Sequence, residues 1–265
     1  MSADYVLQTS NLVKEFKGFT AVDGVDLNVE RGSIHALIGP NGAGKTTIFN
    51  LLTKFLIPTR GTIHYNGRDI TRVRPAAIAR LGVVRSFQIS AVFPQLSVLE
   101  NVRVALQQKE GISFCFWRSE RVLERLDARA LELLDAVGLA EFARVRTVDL
   151  SYGRKRALEI ATTLALDPEL MLLDEPTQGM GHEDVDRVAD LIKKVSRDRT
   201  ILMVEHNLHV VSKLADRITV LQRGAVLTEG GYDEVSADPR VMEAYLGTSV
   251  DDGEPETSLK LEVPA

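Results

Sequence analysis

Two hydrophobic periodicities alternate along the chain. Val25, Leu27 and Val29 are separated by polar residues, the period-2 spacing of a strand with one buried face. Residues 34–38, Ile-His-Ala-Leu-Ile, form a short apolar run of the kind found in strands buried on both faces. Ile48, Leu51, Leu52 and Phe55 then recur at helical spacing, which predicts a helix across 48–55. Residues 62–65 predict another strand, ended by the turn dipeptide Asn66-Gly67.

The middle of the chain changes character. Over 119–137, Val122, Leu123, Leu126, Ala130, Leu133, Leu134 and Val137 mark one face of an amphipathic helix, and Gly138 stands where its C-terminal cap belongs. Residues 159–166 continue the helical reading. The last third returns to alternation: 170–173 and 201–204 are compact apolar runs separated by a helix over about 183–195. That order predicts parallel strands with helical crossovers. The expected organisation is an α/β core from 1–88 and 167–247, a mainly helical insertion at 89–166, and a mobile acidic tail at 248–265.

Between the strand at 34–38 and the helix that follows stands Gly39, Pro40, Asn41, Gly42, Ala43, Gly44, Lys45, Thr46, Thr47. Two glycines five apart, then lysine, then a hydroxyl residue, fit the phosphate-loop pattern. A loop without side chains lets consecutive backbone N–H groups converge on a triphosphate. Gly39, Gly42 and Gly44 can take the positive-φ conformations this requires. Lys45 would place an ammonium between the β- and γ-phosphates, and the Thr46 hydroxyl would ligate Mg2+. A chance match in a chain this long arises on the order of once in a hundred sequences, and the strand-loop-helix context lowers that further.

Composition adds limits. The 265 residues carry 45% hydrophobic and 26% charged side chains, ordinary for a globular protein, with no apolar run long enough for a membrane span. A net charge of −5 argues against a nucleic-acid-coating protein. The single cysteine, Cys115, excludes an intramolecular disulfide and a cysteine-based zinc site, and is expected to be a buried thiol. The N-terminus lacks the basic and apolar regions of a secretion signal, so the expected place is the cytosol, with any membrane role supplied by a partner.

A second carboxylate-bearing strand narrows the chemistry. The apolar run at 170–173 ends in Asp174-Glu175. Buried strands deliver their C-terminal residues beside the phosphate loop. Asp174 would hold the magnesium shell, and Glu175 would polarise the attacking water.

At Leu150-Ser151-Tyr152-Gly153-Arg154 the chain resembles the ATP-binding cassette ATPases, whose signature is Leu-Ser-Gly-Gly-Gln before a helix. Tyr152 and Arg154 depart from it; Ser151 and Gly153 match. The resemblance implies a P-loop NTPase fold: a mainly parallel sheet, an N-terminal antiparallel β subdomain and a helical subdomain carrying the signature. It implies that Ser151, Tyr152 and Gly153 cap the γ-phosphate bound by a second cassette. Gln88 resembles the glutamine that senses Mg2+ and the attacking water, His206 the switch histidine, and Phe16 the aromatic that stacks on adenine. Each has a plainer reading: a surface glutamine, a histidine capping the next helix, a core phenylalanine. Phe19 is a rival stacker. The family often has Gly-Leu-Asp where this chain has Gly179-Met180-Gly181, so Gly181 lacks the carboxylate that communicates across the dimer. His182 is expected to start the following helix and not to bind metal.

The likeness sharpens towards ATPase subunits of branched-chain amino acid importers, on Leu150 to Gly153, Phe87-Gln88 with Phe93-Pro94, and Ala244-Tyr245-Leu246-Gly247. It implies two transmembrane permease subunits, a second cassette, a periplasmic binding protein, and a peripheral position on the cytoplasmic face of the membrane. The permease is expected to dock near 88–96. Urea or short-amide import and lipopolysaccharide export use closely similar cassettes. DNA-maintenance cassettes need a long coiled coil that is missing here, and translation types carry two cassettes per chain. Phe114-Cys115-Phe116-Trp117 is expected to pack the insertion.

Overall fold

The computed structural model describes residues 4–86, 92–111 and 125–246. Gln88, Val122, Leu123, the 114–117 aromatic run and the 248–265 tail lie outside them, so their expected roles are not addressed by the fold.

Strands β1 (Tyr5–Phe16) and β2 (Phe19–Glu30) form an antiparallel hairpin, with Phe16 opposite Phe19. Its two-residue turn, Lys17 at φ 42° and Gly18 at φ 88°, has the doubly positive backbone that suits the twist of a hairpin. Four further strands follow: β3 (Ile34–Ile38), β4 (Arg60–Tyr65), β5 (Arg68–Asp69) and β6 (Val83–Ser86). Asn66 and Gly67, both at positive φ, make the β4–β5 turn. The order β2-β1-β4-β5 builds a four-stranded antiparallel sheet.

The second sheet takes β3 and β6 together with β7 (Leu170–Asp174), β8 (Thr200–Val204), β9 (Arg217–Gln222) and β10 (Ala225–Gly230). Its order is β10-β9-β3-β8-β7-β6, parallel except for the β9–β10 hairpin. The apolar runs have a simple cause: both faces of this sheet are covered. Ile34, Ala36 and Ile38 face one apolar cluster, as do Met171, Leu173, Ile201 and Met203. Leu37, Leu170, Leu172, Leu202 and Val204 face a second cluster shared with the hairpin. Burying each such side chain stabilises by about 1.5–3 kcal/mol, so a strand covered on both faces admits few polar residues.

Helices α1 (Lys45–Leu52) and α2 (Pro75–Arg80) belong to the first part of the chain. The helix predicted across 48–55 stops earlier. The Thr53 hydroxyl donates back to the Phe49 carbonyl at 2.7 Å, Lys54 turns to φ 65°, and Phe55 is left exposed.

Helices α3 (Val98–Lys109), α4 (Asp127–Ala136) and α5 (Tyr152–Ala165) pack on one another beside the sheet. A capping box of Ser97 and Glu100 starts α3. Within the described residues the amphipathic helix begins at Asp127. Ala130, Leu133 and Leu134 are buried as expected, and Gly138 takes φ 71° just beyond the helix. Helix α5 begins at Tyr152, several residues before the apolar periodicity indicates. Helices α6 (His182–Val195), α7 (Leu208–Leu214), α8 (Tyr232–Ser236) and α9 (Pro239–Leu246) complete the core.

The strand order positions the site. β8 lies between β3 and β7, and the three are parallel. The 39–47 loop, Glu175 and His206 therefore leave the sheet at the same edge.

Candidate functional site

The loop after β3 has the conformation its glycines permit. Gly39, Gly42 and Gly44 sit at φ 146°, 78° and 101°. A β-carbon on Gly39 would stand 2.2 Å from the Leu221 carbonyl oxygen of β9, and one on Gly44 would stand 2.6 Å from that of Ala21 in β2. Close backbone approach, as well as φ, therefore demands glycine at both positions. Asn41, Gly42 and Thr46 are exposed at the tip, while Pro40, Gly44 and Thr47 are half-buried and Ala43 is buried.

Lys45 is buried, and its Nζ donates to the Gly39 carbonyl at 2.5 Å and the Pro40 carbonyl at 3.0 Å. Burial lowers its pKa, and the nearby Glu175 and Asp174 carboxylates oppose that shift. The first turn of α1 has no acidic residue, and its N-cap, Gly44, makes no side-chain capping bond. An open helix N-terminus with an ammonium beside it is suited to an anion.

Asp174 is buried at the end of β7 and ion-paired with Arg85 of β6. Arg85 also donates to Asn50 Oδ1 of α1 at 2.7 Å and lies over the Phe49 ring. Glu175 follows in a left-handed conformation at φ 46°, its N–H donating to the Val204 carbonyl of β8 at 2.9 Å. One of its carboxylate oxygens lies 3.5 Å from His206 Nδ1. His206 is therefore not the cap of α7. Asn207 is, its side chain accepting from the N–H groups of His209 and Val210. A carboxylate and an imidazole this close, beside an anion-binding loop, can orient and deprotonate a water molecule.

Three charged residues that sequence reasoning missed support this edge. Arg85 is the first. Arg156 of α5, buried and paired with Glu159, donates to the carbonyls of Pro176 at 3.1 Å and Asp174 at 2.9 Å. Glu205 is fully buried and accepts from Thr177, His206 and Asn207. A charge inside an apolar strand or helix, as in Val83-Val84-Arg85, is the signal that could have flagged them.

Ser151 occupies the N-cap position of α5, but its side chain makes no capping hydrogen bond. Gly153 lies so close to α6 that a β-carbon would stand 2.8 Å from Asp184 Cγ. Arg154 lies with its guanidinium 4.0 Å over the Phe142 ring, and Tyr152 is exposed. Ser151, Gly153 and Arg154 line an open cleft of about 710 Å³ with Phe142, Asp184 and Arg187. Among the described residues no hydrogen bond or ion pair joins this cleft to the 39–47 loop.

Phe16 is 41% exposed, which removes its core reading, and the rival Phe19 is 65% exposed. Lys14 Nζ stands 5.0 Å over the Phe16 ring. Gly181 caps α6, which His182 begins. A second cleft, about 470 Å³, runs between the core and α3 and is lined by Phe55, Ile78, Arg85, Phe93 and Val104. No helix among the described residues is long and apolar enough to cross a membrane.

Residues 22–178 match the family described as ABC transporter, and residues 225–251 match the one described as branched-chain amino acid ATP-binding cassette transporter. The chain is 38% identical to the high-affinity branched-chain amino acid transport ATP-binding protein BraF of Pseudomonas aeruginosa, across 91% of this chain and 98% of that protein. It is 38% identical over the same shares to LivG of Escherichia coli, which bears the same description. Among solved structures it is similar to the ADP conformation of an ATP-binding cassette of an ABC transporter, with TM-score 0.80 and 28% identity over 92% of this chain and 99% of that one.

Proposed function

The chain belongs to the ABC transporter family, as one of its ATP-hydrolysing cassettes, and from that membership we propose that it energises import of branched-chain or other hydrophobic amino acids. Likeness to BraF and LivG over nine-tenths of the chain supports the substrate class. One observation carries the catalytic reading: the 3.5 Å approach of Glu175 to His206 at the edge where the phosphate loop emerges.

In this reading the loop N–H groups of residues 39–47 and the Lys45 ammonium bind the ATP phosphates, and Phe16 stacks on the base. Glu175 takes the proton of the attacking water, and His206 holds Glu175 in place and contacts the γ-phosphate. Thr46 and Asp174, with Gln88, would hold Mg2+, which when bound neutralises phosphate charge. Asp174 fits that part, because it already faces a cation, the Arg85 guanidinium.

Ser151, Tyr152 and Gly153 act on the opposite site. Two cassettes sandwich two ATP molecules, each between residues 39–47 of one chain and 151–153 of the other. ATP makes both sets of contacts only in the closed pair, so its binding favours closure. Loss of the bridging phosphate then favours opening. Gly181 brings no carboxylate to the communication between sites.

Two transmembrane permeases would receive this motion. The apolar cleft lined by Phe55, Phe93 and Val104 is the docking surface in this reading, next to the segment 88–96. A periplasmic binding protein supplies substrate indirectly, nucleic acid has no part, and the chain works as a peripheral subunit on the cytoplasmic face. Tagged chain purified from its own membranes should bring down two permeases and a second cassette, and its deletion should abolish uptake of labelled leucine. A complex that moves urea and no amino acid, or that exports lipid, would overturn the substrate and leave the ATPase standing.

A further inference from the structure

Four hydrogen bonds converge on the buried carboxylate of Glu205. Glu205 has no solvent exposure and directly follows β8. Its Oε1 accepts from the Thr177 N–H at 3.1 Å and from the Thr177 hydroxyl. Its Oε2 accepts from the N–H groups of His206 at 2.8 Å and Asn207 at 3.0 Å. An ionised carboxylate has about four lone-pair sites, so these donors fill them.

The donors come from two places. Thr177 lies in the turn that follows β7, which the Gln178 N–H closes on the Glu175 carbonyl at 3.2 Å; His206 and Asn207 lead from β8 into α7. We propose that Glu205 is a positioning residue for hydrolysis, clamping the Glu175 turn to the His206 segment and so presetting the approach of those two side chains. The proposal rests on the roles given above to Glu175 and His206.

The backbone at Glu175 shows why a clamp is needed. A non-glycine residue at φ 46° is strained, and such a conformation persists only where its surroundings impose it. Arg156 holds the turn from α5 through the carbonyls of Asp174 and Pro176. Glu205 holds its far end through Thr177. The Glu205 carboxylate joins Thr177 to the N–H groups of His206 and Asn207.

The chemistry demands a carboxylate. Three of the four donors are backbone N–H groups and cannot reverse direction. A glutamine would have to point its NH2 at one of them whichever way the amide turned, leaving a buried donor without an acceptor. If the amide turned toward Thr177, the hydroxyl could rotate to accept, but the Thr177 N–H would still be opposed.

Steady-state ATPase kinetics on the full chain test this. Glu205→Gln should lower kcat roughly 10- to 100-fold, as small misplacements of catalytic groups do, while ATP affinity by calorimetry stays within about threefold. In a His206→Ala background the same substitution should cost less than about threefold more, because both act through one unit. Thr177→Val removes a single donor and should lower kcat in the same direction by less, which keeps the test open if Glu205→Gln does not fold. Wild-type kcat in both variants would overturn the proposal. So would losses that multiply in full in the double variant, or an ATP affinity that falls in step with kcat. Normal turnover in His206→Ala would instead remove the premise, a result distinct from normal turnover in Glu205→Gln beside a slow His206→Ala.

Discussion

Two glycines of the phosphate loop, both at positive φ, should respond very differently to alanine. At Gly42, φ 78°, a β-carbon would meet nothing within 4 Å, so Gly42→Ala bears only the backbone cost, about 1–2 kcal/mol. At Gly39, φ 146°, the same carbon would stand 2.2 Å from the Leu221 carbonyl oxygen and 3.3 Å from Ala43 Cβ. That oxygen belongs to β9, which is paired on both sides, so the loop must move by about 1 Å to reach ordinary contact. Adding the about 1–3 kcal/mol typical of overpacking brings Gly39→Ala to about 2–5 kcal/mol. For a chain of this size 1 kcal/mol corresponds to about 2–4 °C in Tm, which gives falls of about 2–8 °C for Gly42→Ala and about 4–20 °C for Gly39→Ala. Thermal unfolding of the two purified variants without nucleotide, followed by circular dichroism, measures both. Equal melting temperatures would show that close packing against β9 does not fix the loop, and the reasoning from Gly39 would fail.

Acid stability should depend on His35. Its ring is buried in β3, the Thr219 hydroxyl donates to Glu229 and so accepts from His35 Nε2–H at 2.7 Å, and Nδ1 has no partner. Burial lowers its pKa from 6.5 to about 4, against the opposing Glu229 carboxylate and with a smaller push from Arg217. The unfolded chain thus binds the proton more readily: this stability is complete above pH 6.5 and is lost as pH falls toward 4, by roughly 3 kcal/mol. Urea unfolding between pH 7 and 4.5 should show a steeper acid loss for the native chain than for His35→Leu, and parallel curves would refute the assignment. Ser151→Arg should abolish turnover while ATP binding to the isolated subunit is retained, because in the proposed sandwich Ser151 serves the opposite site; equal loss of binding would mean a local folding role. Tyr152→Gly should keep turnover, since the family signature carries glycine at this position and the Tyr152 ring is exposed.

Much of the edge that carries the chemistry was legible in the sequence, for a physical reason. A strand covered on both faces must be a continuous apolar run, and a loop that approaches backbone and phosphate must be glycine. These two demands mark 34–38, 170–173, 201–204 and the 39–47 loop, each apolar run lying within an observed strand. Helix ends were less legible. The 48–55 periodicity continued past Leu52 because Phe55 is apolar, yet the Thr53 hydroxyl and the turn at Lys54 end the helix. Helix α5 starts at Tyr152, ahead of its apolar periodicity, after a Ser151 whose side chain makes no capping bond, and spacing alone does not mark such an end. The charged braces escaped altogether. Arg85, Arg156 and Glu205 each meet partners from 18 to 89 residues away in the chain, and only the fold brings those partners together. Phe16 was open between core and exposed readings because a hairpin end can bury or present its aromatic, and here it presents it.

The central claim is that Glu175, held beside His206, activates the water that hydrolyses ATP bound at the 39–47 loop. Single-turnover hydrolysis by Glu175→Gln, with ATP binding measured on the same preparation, tests it most directly. The account predicts unchanged ATP affinity, a rate lowered by about 10²-fold or more as expected for loss of a general base, and accumulation of an ATP-bound dimer on size-exclusion chromatography. Near-normal turnover with no trapped dimer would contradict it.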